Sequence, residues 1–329
     1  MREKILELLS GKKIDTQPAF SGLIHITAEG LEREGLVFHE IHKDAAKMAK
    51  AAASTFKLTG MPSAALPLDL CAPAEMMGAE LNYYEGVDYQ FPQVRKALVQ
   101  SSRDITPENT MGMLGSGRLN LICEAIGLVK NEIGKDVVIS GLIPGPYTLL
   151  LYVCNPANMF KEMKKEPQVV LDALFHLSSF LAKVGQAYLN AGADFITIHD
   201  MGGSPGFIGP AKFEQFVLPA LKKLNAELPA PRVLSVCGNT NTSMHLLAQT
   251  GADAISVDQL NDLAASRTNL KDMLLFGNID PVQTLWQGDP AQVAEAVIGA
   301  KEAGVDAIWP GCDLVPQTSI ENIQSMKRA

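Results

Sequence analysis

A chain of 329 residues can bury one large core or two ordinary ones, and 47% hydrophobic with 19% charged residues is the composition of a globular protein, not a disordered one. A formal net charge of −8 argues against a nucleic-acid surface, and no apolar run is long enough to span a bilayer. Five cysteines without close pairs do not read as a disulfide framework; they are expected to be core thiols, metal ligands or reactive groups in a cytoplasmic protein.

Residues 2–9, with Ile5, Leu6, Leu8 and Leu9 apolar and Gly11 as the stop, predict a short amphipathic helix ahead of the main fold, not a signal peptide. A first strand is expected near 18–24. Asp44 then caps an Ala-rich helix running to about Gly60. A strand over 64–68 ends on Asp69, and a helix carrying Met76 and Met77 follows. The section from 82 to 118 has weak periodicity and reads as an insertion or long loop over one face; loops of this length are usually functional. Regular alternation then sets in. A helix over 119–133 leads to strand 137–141, and helices over 145–164 and 167–190 lead to strand 194–198. A helix over 210–228 leads to strand 233–236, and strands 254–257, 273–276 and 305–308 follow.

An internal repeat supports this order. Ala191-Gly192-Ala193-Asp194, Thr250-Gly251-Ala252-Asp253 and Ala303-Gly304-Val305-Asp306 each end a helix on glycine and open a buried strand. Eight β/α units in one domain spanning 1–329 predict an α/β chain folded as a (β/α)8 TIM barrel. An open doubly wound sheet is the alternative, but no Gly-x-Gly-x-x-Gly follows any strand. In a barrel the chemistry collects at the carboxyl ends of strands, and Asp69, His199, Asp200, Cys237, Asp258, Asp280 and Cys312 all fall there. His199 and Asp200 are expected to line the same pocket as Cys237. Cys71, Cys123 and Cys154 read as core residues. His39, His42, His176 and His245 sit in ordinary surface or helical contexts; His25 stands apart because it follows the first strand.

Four stretches carry a resemblance across nearly the whole chain. They are Leu68-Asp69-Leu70-Cys71-Ala72-Pro73-Ala74-Glu75 with Gly78, Gly145-Pro146-Tyr147-Thr148-Leu149, Cys237-Gly238-Asn239-Thr240, and Pro310-Gly311-Cys312 with Pro316 and Glu321-Asn322. Together they resemble the uroporphyrinogen decarboxylase superfamily, and within it the corrinoid-dependent methyltransferases. That resemblance also implies a (β/α)8 barrel. Decarboxylases of the superfamily carry an Arg-rich segment after the first strand, whereas Ser21-Gly22-Leu23-Ile24-His25-Ile26-Thr27-Ala28 holds no arginine. A polycarboxylate substrate needs paired cations, so the decarboxylase reading recedes. Asp69 and Tyr152 match functional positions of that branch, and Tyr152, Tyr147 and Asn239 are the substrate-binding candidates. His199, Asp200 and Asp69 are the catalytic ones.

Thiol-accepting methyltransferases of this family hold zinc with a His-x-Cys pair and a distant cysteine. Cys237 and Cys312 match two of those ligands, Ser235 stands where the histidine belongs, and Asp258 occupies a place where relatives offer a carboxylate. Three readings follow from the resemblance. Zinc is held by Cys237, Cys312 and Asp258 or His199; or the site is metal-free; or the acceptor is not a thiol. On the zinc reading the two sulfurs lie within ~4 Å of each other, and Ser235→His completes the ligand set. The chain has no Asp-x-His-x-x-Gly stretch, so the methylcobamide is expected on a separate corrinoid protein. The small partner is expected to be a coenzyme M-like thiol, a tetrahydropterin or a methylated compound. A decarboxylase of a smaller acid and a non-catalytic corrinoid- or tetrapyrrole-binding barrel remain the alternatives.

Overall fold

Short aliphatic runs alternate with longer helical patterns, and in the computed structural model, which describes residues 1–112 and 117–329, the runs become parallel strands. The strands in chain order are β1 (Ser63–Leu66), β2 (Leu81–Asn82), β3 (Gln93–Val94), β4 (Val138–Pro144), β5 (Phe195–His199), β6 (Arg232–Val236), β7 (Ala254–Val257), β8 (Leu274–Ile279) and β9 (Ala307–Pro310). Strands β2 and β3 form a small antiparallel pair, while the other seven form one parallel sheet in the order β1-β4-β5-β6-β7-β8-β9. Helices including Ala45–Thr59, Leu119–Ile133, Pro167–Ala191, Leu218–Glu227 and Pro290–Glu302 separate the strands and cover the sheet. Strands β4, β5, β7 and β9 are buried at every residue, as expected of parallel strands covered on both faces. The chain is a TIM barrel. Among the described residues no helix is long and apolar enough to cross a membrane.

The expected strand over 18–24 is reduced to a single parallel bridge, Ala19 with Ile308. The cause is what this segment must do inside the barrel. The Phe20 ring is fully buried and packs edge-on against Phe195, Phe276 and Trp309 at centroid distances of 6.2, 5.6 and 5.2 Å. At Gly22 the backbone runs so close to the interior that an added Cβ would stand 2.1 Å from Thr197 Oγ1. A segment plugging the barrel cannot also keep a regular ladder.

It closes the gap between β9 and β1 by other bonds. Phe20 N–H donates to Ile308 O at 3.2 Å, and Ser21 N–H donates to Ser63 Oγ at 3.0 Å. Burial pushes the His25 pKa down, so its ring is neutral. Nδ1 lies 2.6 Å from Leu23 O, and Nε2 lies 3.3 Å from Ser63 Oγ. His25 therefore belongs to the closure of the barrel.

The glycine–aspartate repeat has a structural purpose. Each aspartate stands just before a strand and accepts a backbone N–H at the start of the strand beside it. Asp194 Oδ2 takes Ile139 N at 2.9 Å, Asp253 Oδ2 takes Arg232 N at 2.8 Å, and Asp306 Oδ2 takes Leu275 N at 2.8 Å. A cation steadies each one: Arg2 and Lys130 on Asp194, Arg232 on Asp253, Arg267 on Asp306. Through Arg2, the helix Arg2–Leu9 is tied to the amino-terminal end of β5, with Ile5, Leu8 and Leu9 buried. In the weakly periodic section the structure places β2, β3 and the helix Pro107–Met111; residues 113–116 of that section lie outside the described residues. Replacing Asp194 by alanine leaves the Ile139 N–H without its side-chain acceptor, and urea unfolding is expected to show a loss of about 2 kcal/mol. Asp194→Asn, which keeps an acceptor oxygen but not the charge, is expected to lose less.

Candidate functional site

Strand register brings the reactive residues together. His199 is the last residue of β5 and pairs at Cα with Ser235 of β6. Cys237 lies two residues beyond Ser235, hence on the same face of the chain. Cys312 lies two residues past the end of β9, reaching the same point across the barrel mouth. His199 Nε2 is 3.1 Å from Cys237 Sγ, the two sulfurs are 3.0 Å apart, and Cys312 Sγ is 3.8 Å from His199 Nε2. Among the described residues these three form the one group of potential metal ligands, with donor atoms all within 4.8 Å of one another.

Electrostatics within the group are coupled. The contact with Cys237 and the His199 ring hold the Cys312 thiol well below its ordinary pKa, although burial opposes this. The Cys312 contact, burial and nearby carboxylates push Cys237 up. The two thiols are thus pushed in opposite directions, Cys237 up and Cys312 down. Burial pulls the His199 pKa down, but Asp313 and Cys312 outweigh it and carry the value up to about 9.

The neighbouring loops explain what the other candidates do. The Gly238 φ of +84° turns the chain immediately after Cys237. Its N–H donates to Asp258 Oδ2 at 3.0 Å, and Leu260 N–H donates to Asp258 Oδ1 at 2.8 Å. Asp258, expected as a third ligand, stands outside the group that His199, Cys237 and Cys312 form. Its carboxylate accepts one backbone N–H on each oxygen and shapes the loop behind Cys237. Asn239 is exposed, and its Oδ1 accepts from Asn241 N at 3.2 Å, a local turn. Asp200 is buried, and its Oδ1 accepts from Thr148 Oγ1 at 2.6 Å and Gly203 N at 3.1 Å. It ties the loop after β5 to the helix Pro146–Val153. Tyr147, expected at the substrate, is turned instead into the helix packing, its hydroxyl 3.4 Å from Met163 Sδ.

A cavity of about 550 Å³ opens beside this group, lined by Asp69, Tyr152, Met201, Asp313 and residues 91–97. The weakly periodic section thus contributes a wall of the mouth. Cys71 and Cys154 line it too, and neither position was expected to do more than fill the core. Asp69 lies in this wall but its carboxylate is fully engaged. It takes Arg118 Nη1 and Nη2 at 2.8 and 3.1 Å, Cys71 N at 2.9 Å, and stands 3.1 Å from His42 Nδ1. Burial alone would raise its pKa; Arg118 and His42 hold it far below the carboxylate range. Burial keeps His42 neutral, so its Nδ1–H donates. Arg118 and His42 left no mark in the sequence pattern: one closes the weakly periodic section, the other a short 3-10 turn.

Breaking this buried pair is costly, because an unpaired charge stays behind. Arg118→Met is expected to lose about 3–5 kcal/mol at pH 7. The Asp69 pKa is depressed by folding, so the stabilisation is present above the ordinary value of about 4 and lost as pH falls below it. Urea midpoints of wild type and Arg118→Met should therefore converge on acidification.

The uroporphyrinogen decarboxylase (URO-D) family model matches residues 1–329. Two relatives are similar over almost their whole length. The methylcobamide:CoM methyltransferase MtbA of Methanosarcina acetivorans is 33% identical, covering 99% of this chain and 96% of the relative. The methylcobamide:CoM methyltransferase MtaA of Methanosarcina barkeri is 29% identical, covering 100% and 97%. A solved methyltransferase from Methanosarcina mazei superposes with a TM-score of 0.92 at 27% identity, covering 99% of this chain and 96% of that one. The chain belongs to the uroporphyrinogen decarboxylase family, in its corrinoid-dependent methyltransferase branch.

Proposed function

We propose that the protein transfers a methyl group between a cobamide carried by a separate corrinoid protein and a small thiol of the coenzyme M type. The reaction would run at a zinc centre held by His199, Cys237 and Cys312. The observation that carries this reading is the convergence of two sulfurs and an imidazole nitrogen from three strands on one point. Two thiolates, one histidine and one open position make a recognised catalytic zinc set. Two Zn–S bonds of about 2.3 Å span roughly 3.8 Å at tetrahedral angles, so the sulfurs, 3.0 Å apart, need separate by less than ~1 Å. Zinc bound there supplies a Lewis acid that keeps a substrate thiol as thiolate at neutral pH.

The chain's own residues do the rest. Cys237 and His199 give up their protons when the metal is taken in, so loading releases protons. The cavity beside Asp313 admits the small substrate, with Tyr152 in its wall and Lys96 offering positive charge to an anionic tail, while Arg95 is paired with Glu80. The substrate sulfur then attacks the methyl carbon. An S–C bond forms, the Co–C bond breaks, its electron pair stays on cobalt as Co(III) becomes Co(I), and the thiol's proton passes to solvent. A cytoplasmic setting, where thiols stay reduced, suits a centre built on two cysteines. Decarboxylation is less well supported, because Asp69 has no free oxygen lone pair directed at a substrate once Arg118, His42 and Cys71 are served.

The nitrogen ligand is assigned to β5, and a swap tests that. Chelator competition is expected to find one tightly bound zinc per wild-type chain, weakened at least ~100-fold in His199→Ala. Because His199 and Ser235 are register partners on the same face, Ser235→His should restore zinc in the His199→Ala background and add little to wild type. Methyl transfer from methylcobalamin to coenzyme M, followed by Co(I) absorbance, should track zinc content. Wild type without zinc, with methyl transfer intact in Cys237→Ala, would falsify the centre.

A further inference from the structure

The imidazole of His199 has two nitrogens and only one faces the sulfurs. Nε2 lies among them, while Nδ1 is buried with no hydrogen-bond partner. A histidine that gives its Nε2 lone pair to a metal must carry its proton on Nδ1, and a buried N–H without an acceptor is costly. One carboxylate oxygen, Asp313 Oδ2, stands 3.8 Å from that nitrogen. Its other oxygen is fixed: Oδ1 accepts Ile24 N–H at 2.8 Å. The neighbouring carboxylate, Asp200, also has an unpartnered oxygen, Oδ2, but among the described residues the ion pair of the His199 ring is with Asp313.

We propose that Asp313 is the positioning residue of the centre: its Oδ2 accepts the Nδ1–H of His199 and so fixes both the tautomer and the ring orientation. This rests on the zinc reading above. Closing 3.8 Å to hydrogen-bond length takes a shift of about 1 Å, which the Asp313 side chain can supply by rotating about the oxygen held by Ile24. The arrangement is economical in sequence, because Cys312 and Asp313 are adjacent: one turn after β9 delivers a ligand and the group that orients a second ligand. It also accounts for an aspartate in the wall of the substrate cavity whose ion pair among the described residues is with His199. A carboxylate behind a metal-bound histidine raises its basicity, and such partners are typically worth 10- to 100-fold in metal affinity.

The test is a double-mutant cycle on zinc affinity, read by competition with a chromophoric chelator. Asp313→Asn keeps an oxygen for Ile24 N–H and removes the charged acceptor. In the wild-type background it should weaken zinc by about 10- to 100-fold; in the His199→Ala background it should change affinity less than about twofold. The visible absorption of the Co²⁺-substituted protein should shift in Asp313→Asn, since the ring is no longer fixed. Urea unfolding of the metal-free Asp313→Asn protein should match wild type, which separates a positioning role from loss of fold. Unchanged zinc affinity in Asp313→Asn, or an equal loss with and without His199, overturns the inference while leaving the centre intact. A wild-type protein that takes up no zinc overturns both.

Discussion

Closure of the barrel is the constraint on which the site depends. In the sheet, β6 and β9 are separated by β7 and β8, so Cys237 and Cys312 cannot meet as lateral neighbours. They meet only because the sheet curls until the ends of those strands face each other across the mouth. The seal between β9 and β1 is the segment that keeps just one bridge of its expected strand. Its work is done by Phe20 inside the barrel and by Ser21 and His25 bonding to Ser63. The packing of four aromatic side chains inside the barrel thus belongs to the closure that lets the two strand ends face each other. Aspartates at the amino-terminal end fasten neighbouring strands together, leaving the carboxyl end free to carry chemistry.

Two buried charged assemblies stand near each other at that end, and they differ in kind. Around Asp69 both carboxylate oxygens are satisfied, and Arg118 is shared with Glu75, which in turn accepts the Tyr83 hydroxyl at 2.6 Å. Such a network stiffens a wall. Around the sulfurs satisfaction stops: His199 Nδ1, Asp200 Oδ2 and Ser235 Oγ are all buried without partners. Buried polar groups in proteins are nearly always paired; three of the exceptions among the described residues lie beside the sulfurs, and others, His42 Nε2 among them, lie elsewhere. The low dielectric that makes those exceptions costly also strengthens the pull of a cation on two thiolates.

The strands and the rule that chemistry lies at their carboxyl ends were legible from residues alone, because glycine-ended helices and aliphatic runs recur with the β/α period. The two cysteines were legible for the same reason. The proposed nitrogen donor was not fixed by spacing, since the pairing of His199 with Ser235 is a matter of register between strands that a linear pattern does not contain. Asp258 looked equally available on paper. In the structure its carboxylate accepts from Gly238 and Leu260 N–H and stands outside the group of His199, Cys237 and Cys312. Tyr147 illustrates the converse: a helix after a strand has one face toward the mouth and another toward its neighbour Pro156–Lys165, and this tyrosine lies on the second. His42 and Arg118 escaped notice because their partner, Asp69, is distant in sequence and the pairing is purely tertiary.

On the proposed zinc reading, register also explains how a ligand can change strands without moving the centre. A histidine two residues before Cys237 would project from β6 at the height of Ser235. The Cα partner of Ser235 on β5 is His199, and partners across a parallel pair project from the same face, with neighbouring strands only about 4.8 Å apart. An imidazole reaches over much of that distance. Its approach direction must still change, because it now comes from the adjacent strand, and the nitrogen pointing away from the metal meets new surroundings. On β5 the far nitrogen faces the turn after β9, where Asp313 stands. A transplanted histidine therefore needs more than a free register position: it needs an acceptor behind it. The coordinates of a metal site in a barrel are height and facing, with sequence spacing only one way of reaching them.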